Sequence, residues 1–290
     1  MLAAGMAKRY GGCKPLAPVG VHGEAIIDLT ASDALAGGFG RIVLVVGPTT
    51  APALTYHVER VWPRWVETVT ADQPLPLGTA HAVLCARSAV GTGPFAVVNA
   101  DDVYGVPALH LLASRLKAGS DALVAFRLAD TVLTDDPVTR GVCITDGEGA
   151  LAGLVERRKV TRQPDGSFIS EDGLEPSYLS PDVLVSMNLW GFQPDIWEVL
   201  QGAVLQAHPE LAPDGSVLDP ERPVKSEEET LLPEVVGEAV STGELEFEVA
   251  AGPGRSVGVT HAGDLPIARG EIAQMVGRGE RAEWLWKAPH

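Results

Sequence analysis

An α/β fold built on a mostly parallel, doubly wound sheet is what this sequence predicts. Continuous apolar runs at Arg41–Gly47 and Phe95–Ala100 read as strands buried on both faces. Helical patterns fall between and after them, so strand and helix alternate through the first 130 residues. Such alternation needs crossover connections, which favour parallel pairing and put ligands beyond the carboxyl ends of the strands, a Rossmann-like arrangement.

In order, Met1–Ala4 has the character of the last residues of a buried strand, which leads to the expectation that the natural start lies upstream. A glycine-bracketed basic loop, Gly5–Gly12, follows, then a helix from about Glu24 to Leu35 closed by Gly37-Gly38. Val66–Thr70 reads as a short strand, Asp72–Gly78 as a Pro/Gly loop, and a helix starts at Thr79. After Phe95–Ala100 the chain runs straight into Asp101-Asp102. Next come a helix Val106–Lys117 with Leu109, Leu112 and Leu116 on one stripe, and a strand Asp121–Leu128.

The second half is looser. Gly141–Thr145, Leu151–Glu156 and Leu184–Phe192 are strand-like, while 161–182 and 208–227 are rich in Asp, Glu, Pro, Gly and Ser and read as loops. Helices are expected over Asp195–Ala207, Glu228–Val240 and Leu265–Val276, and strands over Glu244–Val249 and Ser256–Val259. The expected organisation is a ligand-binding core over 1–130, an elaboration of the same domain over 131–260, and a C-terminal helical segment over 261–290.

The formal net charge of −16 argues against a general nucleic-acid or anionic-membrane surface, since either polyanion would be repelled. A phosphate ligand would need a locally basic pocket. Cys13, Cys85 and Cys143 lack metal or disulfide spacing, which fits a reducing compartment. No apolar run approaches the roughly 18 residues of a membrane span, and the N-terminus lacks the order of a signal peptide. A cytoplasmic protein is the expectation, and a homo-oligomer is left open.

Between a strand and a helix, Gly5–Gly12 can turn backbone N–H groups toward a phosphate, with Lys8, Arg9 and Lys14 adding positive charge. A surface turn with solvated basic side chains explains that cluster alone equally well. A carboxylate ending a parallel strand, as Asp101 does, can hold a hard cation shared with phosphate oxygens, while Asp102 can be that ligand or open the next helix.

Leu2-Ala-Ala-Gly-Met-Ala-Lys-Arg-Tyr-Gly-Gly-Cys-Lys-Pro-Leu16 resembles the L-A-A-G-x-G-x-R…K-P-L signature of the nucleotidyltransferases that make nucleotide sugars, with Ala7 in place of the second glycine. Gln73-Pro-Leu-Pro-Leu-Gly-Thr-Ala80 resembles the stretch of that family that reads the nucleobase. Asn99-Ala-Asp-Asp-Val-Tyr-Gly105 resembles its magnesium-binding segment. The resemblance implies nucleotidyl transfer from an NTP, with UTP or dTTP favoured, to a sugar 1-phosphate. It assigns Arg9 to the departing pyrophosphate, Lys14 to the reacting phosphate and Asp101 to Mg²⁺. Leu2, Ala3, Ala4, Gly5, Gln73, Gly78 and Thr79 would contact the nucleotide.

Leu154-Val-Glu-Arg-Arg-Lys159 is similar to the family's V-E-K segment, which implies Glu156 on the sugar hydroxyls and Arg157, replacing lysine, on the sugar phosphate. Asn188 in Ser186–Phe192 matches the strand that closes the sugar pocket. Near Ser256–Asp264 the aspartate that often completes the metal site is missing, with Val257 or Gly258 in its place, and Asp264 is the reserve metal ligand. Transfer to a non-sugar phosphate or cofactor acceptor, and a catalytically silent nucleotide-binding subunit, are the competing readings.

Overall fold

The computed structural model describes residues 1–5, 11–219, 228–259 and 262–286. In chain order its elements are α1 (Ile26–Ala36), β1 (Arg41–Val46), α2 (Ala51–Val61), β2 (Glu67–Asp72), α3 (Thr79–Cys85), α4 (Arg87–Val90), β3 (Phe95–Val97) and β4 (Asp102–Val103). There follow α5 (Val106–Lys117), β5 (Asp121–Arg127), β6 (Val138–Thr145), β7 (Leu151–Arg162), β8 (Phe168–Ser170), β9 (Tyr178–Leu179) and β10 (Leu184–Phe192). The chain continues with α6 (Ile196–Ala207), α7 (Leu232–Ser241), β11 (Phe247–Ala251), β12 (Val257–Gly258) and α8 (Leu265–Gly277).

The sheet core is mixed but mostly parallel. β1 and β2 pair in parallel, and Leu2 bridges in parallel to Val45 on one side and Asn99 on the other. That first segment is laced in by Leu2 N to Val98 O (2.8 Å), Ala3 N to Val45 O (2.9 Å) and Ala100 N to Leu2 O (3.1 Å). The Met1 amino group donates to Val43 O at 2.8 Å, and its burial brings its pKa down to about 5. β3 continues antiparallel onto β10, which also pairs antiparallel with β5, and β5 pairs in parallel with β11. Thus one antiparallel strand, β10, is inserted into a core that the alternating sequence pattern predicts as mostly parallel.

β10 is also the root of an antiparallel arm, β10–β6–β7–β8–β9. The predicted loop over 161–182 holds the end of β7 together with β8 and β9, and the latter two are three and two residues long. Helix α2 over 51–61, for which the sequence analysis assigns no element, is opened by Pro52 at a first-turn position, where a missing N–H costs nothing.

Packing follows the apolar patterns. The stripe Leu109, Leu112 and Leu116 of α5 is buried, as is β5 from Asp121 to Phe126. Arg281 and Asp33, each about 4% exposed, pair at 2.5 Å and tie the C-terminal stretch to α1. Burial pushes the Asp33 carboxyl up and Arg281 opposes it. Removing either partner would strand a buried charge, at a cost of about 3–5 kcal/mol.

Candidate active site

Strand β3 leads through Ala100 and Asp101 into β4, at the carboxyl end of the parallel core. Tyr104 fixes this turn: its buried hydroxyl accepts the Asn99 N–H (3.1 Å) and donates to Met187 O on β10 (2.8 Å). Burial keeps that phenol protonated, with a pKa well above its ordinary value. Thr30 Oγ1 on α1 donates to Asp102 O at 2.6 Å. The two aspartates therefore stand on a braced turn.

A cleft of about 680 Å³ opens there, lined by Lys14, Asp101, Asp102, Glu156, Asn188 and Asp264 among others. Lys14 Nζ meets Asp101 Oδ2 at 2.6 Å, with the side chains 19% and 27% exposed. Asn99 Nδ2 donates to Asp102 Oδ2 at 2.9 Å. Burial, and then the neighbouring charge of Asp101, push the Asp102 carboxyl up to about 6.

Gly258 on β12 faces Asp102 across an antiparallel pair. A Cβ at 258 would lie 2.2 Å from Asp102 Oδ1. The carboxylate of Asp102 therefore fills the space a side chain at 258 would need, at the position where the family resemblance leads one to look for the missing aspartate. Asp264, at the start of α8, lines the same cleft.

Glu156 reaches the cleft from β7 and pairs with Arg158 (2.6 Å). Asn188 lies at a register shift of β10 with φ of 60°, a left-handed conformation that Asn tolerates better than most residues. Its Oδ1 accepts Trp190 Nε1–H at 3.2 Å.

Arg157 does not join these residues. It is 3% exposed and committed to Asp172 Oδ2 (2.7 Å) and Oδ1 (3.2 Å) and to the carbonyls of Leu174 and Pro176. The guanidinium anchors the 172–176 loop instead of lining the cleft. Arg157 in turn holds the Asp172 carboxyl well below the usual carboxylate range, with Ser170 and two backbone N–H groups assisting. A lowered carboxyl pKa contributes stability above the unfolded value of about 3.9 and loses it as pH falls toward the folded value. Asp172→Asn is therefore expected to melt below the parent at pH 7, with the gap narrowing below about pH 4. A gap independent of pH would show that charge plays no part in anchoring the loop.

The segment Gln73–Thr79 lies apart from the cleft lining. Gln73, 6% exposed, donates from Nε2 to Gly78 O (2.9 Å) and pairs with His81 Nδ1 (3.2 Å). Gly78 has φ of 97°, and a Cβ there would lie 2.3 Å from Thr230 O. Thr79 Oγ1 accepts the Leu232 N–H at 2.8 Å. Gly78 and Thr79 thus hold the 230–232 stretch, a packing duty that the sequence pattern does not announce. Leu2–Ala4 forms the central strand segment, and Gly5 emerges from it exposed. Arg9 and Ala7 lie outside the described residues.

Residue 140 is a cleft residue that sequence reasoning passed over. Arg140, immediately before Gly141 on β6, lines the cleft and is held by Thr131. Its only sequence signal is a basic residue before a strand glycine, which is indistinguishable from a solvated surface position.

A family model described as the MobA-like NTP transferase domain matches residues 1–172. The UTP–glucose-1-phosphate uridylyltransferase of Escherichia coli K12 is 28% identical over 156 residues, 51% of this chain and 48% of the relative. The enzyme of the same name from Klebsiella pneumoniae is 27% identical over 162 residues with the same coverage. The chain thus spans about half the length of the curated relatives it matches. A crystal structure of UDP-glucose pyrophosphorylase complexed with UDP-glucose superposes with a TM-score of 0.60 at 16% identity, covering 94% of this chain and 97% of that one. At that identity the likeness speaks for the fold, a mixed α/β core of Rossmann-like type.

Proposed function

This chain belongs to the MobA-like NTP transferase family, and from that premise we propose that it transfers a nucleoside monophosphate from an NTP to a sugar 1-phosphate, releasing pyrophosphate. The observation that carries the reading is the Lys14–Asp101 pair at 2.6 Å, at the mouth of the parallel core, in a cleft that also presents Glu156 and Asn188. Residues 1–130 would supply the nucleotide side, 131–260 the acceptor side, and 261–290 a C-terminal helical segment, of which Arg281 is tied to α1. No helix of the described residues is long and apolar enough to cross a membrane, and a cytoplasmic location is part of the same reading.

UTP and glucose 1-phosphate are the first pair to test, because they are named for the curated relatives. Gln73 adds a physical reason for a base with a ring N–H, as uracil, thymine and guanine have and cytosine and adenine lack. Its amide nitrogen is spent on Gly78 O and His81, so what it has left to offer is a carbonyl oxygen. An acceptor there suits a base with an imino N–H and disfavours the bare ring nitrogen of cytosine. Leu2, Ala3, Ala4 and Gly5 would lie along the nucleotide, Gly78 and Thr79 would act on it through the 230–232 stretch they hold, and Arg9 would meet the pyrophosphate.

Magnesium suits the donor set. Among the described lining residues Asp101, Asp102, Glu156, Glu234 and Asp264 outnumber the cations Lys14 and Arg140, so a triphosphate needs a divalent ion to enter. Asp101 would hold it, with Asp264 in reserve and Asp102 beside them. When bound, the ion neutralises charge on the phosphates and polarises the reacting one. No group of three or more metal-ligating side chains is gathered among the described residues, so phosphate oxygens and water would complete the shell and little metal should be held without nucleotide.

An oxygen of the acceptor phosphate attacks the α-phosphorus in line, the α–β bridging bond breaks, and pyrophosphate leaves with the bridging oxygen. The nucleophile is already ionised, so no general base is required. Lys14 would exchange its contact with Asp101 for the reacting phosphate, and Glu156 and Asn188 would orient the sugar hydroxyls. Pyrophosphate release across a panel of NTPs and sugar, alditol and amino-alcohol phosphates is the test. Release that requires a sugar 1-phosphate supports the reading, release with a non-sugar acceptor moves the activity, and none with any pair points to a silent binding subunit.

A further inference from the structure

Arg157 is the basic residue that the sequence pattern offers for the acceptor's phosphate, and its fork is spent on Asp172, Leu174 and Pro176. Arg158 is turned to Glu156. The acceptor side of the cleft, as built from β7, therefore lacks a guanidinium for an anion.

Arg140 is differently placed. Its Nε donates to Thr131 Oγ1 (3.0 Å), its Nη2 to Thr131 O (2.6 Å) and its Nη1 to Thr139 O (2.8 Å). Every one of these partners is neutral, and among the described residues no carboxylate lies within ion-pairing distance. A guanidinium has five N–H groups, so one remains on each of Nη1 and Nη2. Of the two cations that line the cleft among the described residues, Lys14 is already paired with a carboxylate and Arg140 is not. Asp102 is near enough to act on it electrostatically without touching it.

Its neighbours indicate the ligand. Gly141, the next residue, is in register with Glu156 on β7 and with Ser186 on β10, and all three line the cleft. Arg140 thus joins the wall that carries Glu156 and Asn188 to the turn that carries Asp101 and Asp102. A planar fork pinned by three neutral contacts, in a cleft rich in carboxylates, is preorganised for a tetrahedral dianion.

The geometry points to Arg140 as the residue that binds the phosphate group of the acceptor, in the place that Arg157 has vacated. This rests on the acceptor reading above. It also explains why Arg157 can be spent on the 172–176 loop without leaving the acceptor side devoid of positive charge.

Calorimetric titration of the parent, Arg140→Gln and Arg140→Lys with inorganic phosphate, glucose 1-phosphate and UTP provides the test. Because Arg140 also holds Thr131, melting curves accompany each variant, and Arg140→Lys keeps the charge while giving up the fork. Arg140→Gln is expected to weaken both phosphate and glucose 1-phosphate at least tenfold, with UTP affinity unchanged within about twofold. Arg140→Lys should recover part of the loss. Equal affinity of the parent and Arg140→Gln for inorganic phosphate, or no phosphate binding by the parent, overturns the assignment. Phosphate binding that depends on Arg140, with no binding of the sugar ester, upholds the arginine's role and defeats the acceptor reading instead.

Discussion

Asp101→Asn is expected to lower turnover by about a hundredfold to a thousandfold, the range seen when one electrostatic contact at a reacting centre is removed. The exchange keeps the size of the side chain and removes its charge. Asp101 is 27% exposed and its partner is the likewise accessible Lys14, so stability should change by no more than about 1 kcal/mol. The same variant should bind manganese more weakly in the presence of nucleotide, which electron paramagnetic resonance reads without any turnover. Asp264→Asn measured beside it shows which carboxylate matters. Parental activity in Asp101→Asn would remove the cation from this turn, and loss in Asp264→Asn alone would move it to the start of α8.

Lys14→Ala carries the second large effect. A charge-assisted hydrogen bond to phosphate is worth about 1.5–3 kcal/mol, and each 1.36 kcal/mol is about tenfold in rate. A loss of about tenfold to a hundredfold or more in kcat/KM follows. The Lys14–Asp101 pair is partly solvated, which limits its own worth to roughly 0–1 kcal/mol. Activity should therefore collapse while the melting temperature barely moves. Lys14→Arg retains charge but replaces a point donor on a flexible stem with a rigid fork, and should recover only part of the rate. Parental kinetics for Lys14→Ala would exclude this lysine from the phosphate site.

Much of the fold was legible because its core elements depend on local pattern. The apolar runs at 41–46 and 95–97, and the Leu109–Leu112–Leu116 stripe, identify themselves within a few residues of sequence. β10 escaped its true role because orientation in a sheet is decided by partners. Its nine residues read as a strand, but nothing in them says antiparallel between β3 and β5. β8 and β9 are too short to carry a period, and they exist only because β7 runs on to Arg162 and offers them an edge.

The same division runs through the site. Asp101 and Lys14 meet because a strand end and a loop after the first strand segment converge wherever a parallel sheet forms, so both could be named from motifs. Arg157 could not be placed that way. Its partner Asp172 lies fifteen residues on, across a loop whose path follows from β8. Gly258 and Asp102 become a pair only through the register of β4 and β12, which is invisible along the chain. Gly78 looks like room for a flat ring, and the space it provides is taken by the backbone of Thr230.

Glucose 1-phosphate labelled with heavy oxygen in its phosphate, incubated with UTP, Mg²⁺ and the parent protein, asks directly whether the acceptor's own oxygen attacks the nucleotide. Mass analysis should find all of the label in the nucleotide sugar and none in the pyrophosphate, with one pyrophosphate formed per nucleotide sugar. Release of UMP with pyrophosphate and no labelled nucleotide sugar, or label appearing in pyrophosphate, would contradict transfer to a sugar 1-phosphate in this cleft.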